Sequence, residues 1–197
     1  VTTIGCGSIG SNATLIMARI GVEHFELFDQ DVVSIENVCP TTFTPSQVGV
    51  PKVEALAEQL KVYGAKVRVH KTMYGSQPVK TDVVIVGVDN MEARQQIWTQ
   101  HKIDWKLWLD GRIGRDQASV FAVVKDGNLI PYLSSLQWET APLPCGMKAT
   151  AFICGGIVSG MMGTAVARWL NGLDVPAEMY FQGFTPETPF FSVSKLG

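Results

Sequence analysis

Apolar and polar positions recur along this chain with two periods, and the changes of period mark its elements. Residues 1–4 read as the end of a short strand, and after a glycine-rich turn Ala13, Ile16, Met17 and Ile20 recur at helical spacing. That spacing predicts a helix over residues 12–20 with one face on a sheet, closed by Gly21. Residues 24–29 predict a second strand. Residues 38–49 hold Pro40, Pro45 and three threonines, the composition of a loop. A helix over residues 52–63 follows, opened by Pro51, with Val53, Leu56, Ala57 and Leu60 on one face. Residues 66–71 alternate as a strand.

Residues 82–88 are continuously apolar after Asp82, the pattern of a central parallel strand covered on both faces. A helix is expected over residues 91–101, with Asp89 as its N-cap. Strands are expected at 105–110 and 117–124, the latter paired with residues 129–133 in a hairpin around Asp126-Gly127. Residues 134–148 read as a long irregular loop, a length that usually carries function. Residues 149–167 have no charge over nineteen positions and include Gly156-x-x-x-Gly160. A membrane span is the competing reading, but the glycines and hydroxyl residues favour a helix buried in a core or subunit interface, approached closely at its glycines. Short strands at 179–184 and 190–193 end the chain. The sum is an α/β fold on a mixed sheet, parallel in its first half, with antiparallel strands added in the second.

Composition narrows the class. A chain of 197 residues, 46% hydrophobic and 17% charged, is expected to form one domain with a substantial core. A net charge of −2 gives no footprint for nucleic acid. Cys6, Cys39, Cys145 and Cys154 form no C-x-x-C pair, so a zinc knuckle and a disulfide framework are both disfavoured. His24, His70 and His101 are too scattered to suggest a metal site. A reducing cytoplasm is the expected compartment. The first residue is not Met and no signal peptide is visible, so the N-terminus is expected to be processed or truncated.

The chemistry begins at Gly5-Cys6-Gly7-Ser8-Ile9-Gly10-Ser11. A strand feeding this turn and then a helix gathers unpaired N–H groups and a positive dipole end at one spot, which suits a phosphate. Asp29 follows Gly10 by nineteen residues, where a ribose-binding carboxylate belongs in a Rossmann-like sheet. Asp89 and Asn90 lie at the C-terminal edge of the central strand, where open α/β sheets bind ligands.

Four separated pieces then resemble the ThiF/MoeB/ubiquitin-activating enzyme family in order and spacing. They are Gly5-x-Gly7-x-x-Gly10-Ser11, Asp29-x-Asp31-x-Val33-x-x-x-Asn37, Gly49-x-Pro51-Lys52-Val53, and Val88-Asp89-Asn90 with Arg94. The resemblance covers residues 1–125 well and the rest loosely, as one adenylation domain over 1–197 with a crossover loop at about 134–148. It implies adenylation, with Mg-ATP, of the C-terminal glycine carboxylate of a small β-grasp ubiquitin-like or sulfur-carrier protein. In many members a cysteine then takes the acyl group as a thioester. By the same resemblance Gly5, Gly7 and Gly10 face the nucleotide, Asp29 holds the ribose, and Lys52 sits on the phosphates. Asp89 binds Mg²⁺, Asn37 braces the ATP site and Asp31 orients it. Cys145 lies in the loop where thioester-forming relatives keep their nucleophile.

One departure stands out. The arginine usual three residues after the asparagine is Pro40 here, and proline donates nothing. Arg112 in Asp110-Gly111-Arg112-Ile113-Gly114 is the replacement candidate, with Arg115, Arg19 or a partner subunit's arginine behind it. Implied partners are the carrier, a conjugating enzyme or sulfur donor, and a second copy in a homodimer, with neither nucleic acid nor membrane. Plainer roles stay open: a strand end for Asp29, a solvated lysine for Lys52, a cap for Asp89, a turn residue for Asn37, a solvated arginine for Arg112 and a buried thiol for Cys145. Two other functions stay open as well, an NAD-dependent oxidoreductase using the same turn and a catalytically weak relative that binds a partner.

Overall fold

The computed structural model describes residues 1–113, 117–137, 148–182 and 192–194, without the side chains of 148–154, 182 and 192–194. Its centre is an eight-stranded sheet that buries apolar clusters on both faces. The first strands are β1 (Thr2–Ile4), β2 (His24–Phe28), β3 (Lys66–His70) and β5 (Val83–Val86), with a short β4 (Pro78–Lys80) between the last two. β1 pairs in parallel with both β2 and β5, and β2 in parallel with β3. β7 (Leu107–Ile113) joins β5 in parallel. β8 (Gln117–Val124), β9 (Glu178–Gln182) and β10 (Ser192–Ser194) then add on antiparallel, giving the order β10-β9-β8-β7-β5-β1-β2-β3. The expected mixed sheet, parallel first and antiparallel later, is present.

Helices cover the faces for the reasons the periodicity gave. α1 (Ser8–Arg19) buries Ala13 and Met17, and α3 (Lys52–Lys61) buries Val53, Leu56 and Leu60. β5 is buried at every position, as a continuous apolar run requires. α4 (Met91–Gln100) packs on the other side. α6 (Lys148–Leu170) carries the long uncharged run between Lys148 and Arg168, and it lies on α1, β7 and β8. Among the described residues no helix is long and apolar enough to cross a membrane. Close approach comes at glycines other than the Gly156/Gly160 pair. A Cβ on Gly155 would meet Ser8 Oγ at 2.4 Å and one on Gly163 would meet Ile16 at 2.8 Å, whereas Gly156 and Gly160 face open space.

Three expectations are corrected. Residues 129–133 are not a strand: α5 (Ile130–Ser135) occupies them, started by Asn128 Oδ1 accepting the Ile130 N–H at 3.0 Å and by Pro131 in the first turn. The hairpin partner of β8 is instead β7. Asp89 is not the cap of α4, because Asn90 holds that position and its Oδ1 accepts the Ala93 N–H at 2.8 Å. The chain also forms a second, two-stranded parallel sheet from β4 and β6 (Lys102–Asp104) that the sequence pattern did not announce.

Candidate functional site

The glycine turn is shaped by steric need. Gly5 has φ +85°, and a Cβ on Gly10 would meet the Gly5 carbonyl oxygen at 1.8 Å. Gly87, at the end of β5, is pressed equally hard: a Cβ there would meet Gly10 N at 2.8 Å. Three strands and α1 can converge here only because these positions lack side chains. α1 begins inside the turn at Ser8, with Gly7 as its cap and no side chain satisfying its first N–H groups. Those donors and the positive helix end are thus left for an anion.

Asp29 closes the other side of the turn. Its Oδ2 accepts the Cys6 N–H at 2.7 Å and its Oδ1 accepts the Asp31 N–H at 2.8 Å. Each carboxylate oxygen keeps a second lone pair for a ligand hydroxyl. Burial and the nearby Asp29 charge push the Cys6 thiol well up, so Cys6 fills space as a neutral group.

Lys52 reaches the same place through a short antiparallel ladder. Val33 N–H donates to Val50 O and Gly49 N–H to Val33 O, both at 2.8 Å, Val32 bridges Pro51, and Lys52 N–H donates to Asp31 O at 2.9 Å. Gly49, with φ +89°, makes the turn that sends the chain back. Lys52 then starts α3 with Pro51 as its cap, and its Nζ lies 2.7 Å from Asp31 Oδ2. The lysine side chain is 10% exposed and the aspartate 56%, so the pair is open on the carboxylate side. A half-exposed pair of this kind contributes about 0–1 kcal/mol, little enough for a polyanion to recruit the ammonium.

These pieces border one cavity of about 350 Å³ at the C-terminal edge of the parallel strands. Gly5, Gly7, Asp29, Asp31, Lys52 and Asp89 line its polar end. Phe28, Met73, Tyr74, Ala93 and Ile97 give it an apolar end, with the amides of Gln96 and Gln100 at α4. Phe28 is held by a stack on His70 at 4.2 Å and an edge contact with Tyr74 at 5.3 Å. The lining carries three carboxylates, and Lys52 is its one cationic side chain among the described residues. Asp89 is exposed, and its Oδ1 accepts only the neighbouring Asn90 amide, at 3.1 Å.

Other candidates stand elsewhere. Gly10 backs the turn without lining the cavity. Asn37 is in α2 (Ile35–Val38), where its Oδ1 accepts the Ser34 N–H at 3.1 Å, and it is absent from the lining. Pro40 gives its carbonyl to Ser8 Oγ at 2.9 Å and to Asn12 Nδ2 at 3.2 Å. Arg112 is buried at 8% exposure and fully engaged with Asp110 and Ser135, away from the cavity. Cys145 and Arg115 lie outside the described residues. Among those described, no three His, Cys, Asp or Glu side chains gather as a metal site. Gly87, Tyr74 and the α4 face were not singled out in sequence. Gly87 at the end of an all-apolar strand was the one available signal.

The ThiF family model matches residues 1–195. Ubiquitin-like modifier-activating enzyme 5 of Drosophila willistoni is 30% identical over 127 residues, 53% of this chain and 31% of that protein. The Branchiostoma floridae protein of the same name is 24% identical over 97% of this chain and 54% of its own length. The chain therefore spans about half the length of such relatives or less. Among solved structures, E. coli MccB crystallised with ATP superposes with a TM-score of 0.70 at 14% identity, over all of this chain and 63% of MccB. PaaA gives 0.66 at 16% identity, over 97% of this chain and 64% of PaaA. At such identities these structures speak for the fold alone. With a family model spanning nearly its whole length, the chain belongs to the ThiF family.

Proposed function

We propose that this domain binds ATP in the cavity and adenylates the C-terminal carboxylate of a small ubiquitin-like or sulfur-carrier protein. The observation that carries the reading is the convergence of the uncapped α1 N-terminus, Asp29, the Lys52–Asp31 pair and Asp89 on one cavity beside an apolar slot. The relatives named as modifier-activating enzymes, and MccB with ATP, support it.

In this reading the phosphates lie on the N–H groups of the glycine turn, and Asp29 accepts from the ribose hydroxyls. The base enters between Phe28, Tyr74 and Ile97. The carrier carboxylate forms a bond to the α-phosphorus, and the bond to the bridging oxygen of pyrophosphate breaks. Lys52 leaves Asp31 to meet the charge gathering on the departing phosphates. Asp89 suits Mg²⁺, which commonly takes one or two carboxylates and completes its shell with phosphates and water; the ion would supply charge neutralisation at the leaving group. Cys145 would then attack the acyl carbon of the adenylate as a thiolate, the bond from that carbon to the phosphate oxygen would break with release of AMP, and the thioester would form in the domain spanning 1–197.

Pyrophosphate exchange with glycine-terminated carriers tests the reading. Exchange should require the carrier and vanish in Asp89→Ala. A near-normal rate in that variant removes Asp89 from the metal role. Cys145→Ala should keep exchange and lose the reducible carrier adduct; an adduct that persists puts the nucleophile elsewhere. Thermal stabilisation by NAD and not by Mg-ATP would replace adenylation with hydride transfer.

A further inference from the structure

Helix α4 has two occupied sides. One presents Ala93, Gln96, Ile97 and Gln100 to the cavity. The other buries Arg94, 4% exposed, against the end of β7. Arg94 Nε donates to Asp110 Oδ1 at 2.8 Å and Nη2 to the Gly111 carbonyl at 2.6 Å. Asp110 has no exposed surface, and its Oδ2 accepts Arg112 Nε and Nη2 at 3.2 and 2.9 Å. Arg112 lies over the Phe121 ring at 4.4 Å and donates to the Ser135 carbonyl and hydroxyl, both at 2.9 Å.

Such a cluster is a poor way to gain stability, because removing three charges from water offsets most of their attraction. Apolar side chains of equal volume would hold α4 at least as firmly. What the guanidinium adds is direction. Its planar fork contacts two acceptors on adjacent residues and so fixes rotation as well as distance. Rotation matters here because Asp89 and Asn90 sit at the start of α4, and any roll of the helix moves them and the cavity wall together. The anchor on β7 is itself rigid. A Cβ on Gly111 would meet Ile9 at 2.8 Å and Val158 and Met162 at 2.7 Å, so this strand end is pressed on α6 and on the first turn of α1. Arg94 thus spans from α4 to the very point against which the glycine turn packs.

We propose that Arg94 and Asp110 are positioning residues for the cavity, fixing the roll of α4 against β7 and thereby the placement of Asp89 and the α4 wall relative to the glycine turn. The inference rests on the nucleotide reading of that cavity.

The test compares Mg-ATP affinity by calorimetry in wild type, Arg94→Lys, Arg94→Met and Ser135→Ala, each below its melting temperature. Groups that orient a metal's ligands typically change its affinity by about 10–100-fold, and Arg94 acts one step further back, through the placement of α4. Arg94→Met should therefore bind about tenfold more weakly, the low end of that range. Arg94→Lys, which keeps the ion pair and loses the Gly111 contact, should fall between it and wild type. Ser135→Ala should lower the melting temperature and leave affinity unchanged. Hydrogen exchange should quicken at residues 89–92 in Arg94→Lys and not at residues 5–10. Wild-type affinity in both Arg94 variants overturns the proposal, as does an equal loss in Ser135→Ala. If Arg94→Met does not fold, Arg94→Lys decides alone: about threefold weaker binding supports the proposal and unchanged binding ends it. A wild type that ignores Mg-ATP overturns the nucleotide reading itself, a result distinct from all of these.

Discussion

At the scale of single residues, the cavity depends on atoms that are missing as much as on those present. Gly10→Ala would drive a methyl into the Gly5 carbonyl oxygen, 1.8 Å from the ideal Cβ. Because that contact is with backbone, it cannot be relieved by a rotamer change, and a loss of more than about 3 kcal/mol is expected in denaturant unfolding. Lys52→Met tests a different kind of dependence. The side chain is nearly buried and its partner Asp31 is not, so the fold should change by less than about 1 kcal/mol while Mg-ATP affinity falls. Equal affinity in that variant would take Lys52 off the phosphates. Sequence identified both residues because each sits in a dense local signature. Arg112 shows the opposite case. A lone arginine in a glycine turn looks solvated, and its burial depends on Asp110 two residues before it and on Arg94, sixteen residues before Asp110. No local pattern encodes a pairing of that span.

At the scale of elements, long periodic segments were legible and short ones were not. The recurrence of Val53, Leu56 and Leu60 places α3 because the apolar stripe spans its whole length. β4 and β6 have three residues each and one buried position, too few to show any period. They exist because each pairs with a segment more than twenty residues distant. Leu129, Ile130, Tyr132 and Leu133 suit a strand as well as a helix, and what favours α5 is the turn in which Asn128 Oδ1 accepts the Ile130 N–H, together with Pro131 in the first turn. Behind α5, Trp108 Nε1–H donates to Tyr132 OH at 3.2 Å, with both rings buried. Tyr132→Phe leaves that indole N–H without an acceptor, and urea unfolding should register a loss of about 1–3 kcal/mol at unchanged m-value. His101 joins the same aromatic group, 5.0 Å from Trp108, and burial lowers its pKa from 6.5. The folded state then binds fewer protons than the unfolded chain just below pH 6.5, so this contribution to stability is lost as pH falls through the depressed value. Melting temperature should decline from pH 7 toward pH 5, and His101→Gln should flatten the slope.

At the scale of the whole molecule, the sheet that gathers the cavity at its centre also ends somewhere. β3 is the outermost strand on one side, with no further strand paired to it among the described residues. A bare row of backbone donors and acceptors is a template on which a foreign strand can grow. Here Lys66 and Arg68 stand exposed along it, flanking Val67. Arg68 lies 3.5 Å from Glu26 Oε1 on β2, but with the arginine largely exposed that pair is worth about 0–1 kcal/mol, and the strand is fixed by five register pairs to β2. The work of Lys66 and Arg68 is exclusion: an approaching β-edge would have to strip water from two cations lying along its own backbone. Replacing both with threonine should leave the melting temperature within a few degrees and shorten the lag before light scattering rises in a stressed solution. Retention of the wild-type lag would give that guard to another part of the surface. The fold thus carries a defence against its own kind of growth, built into the strand farthest from the antiparallel half.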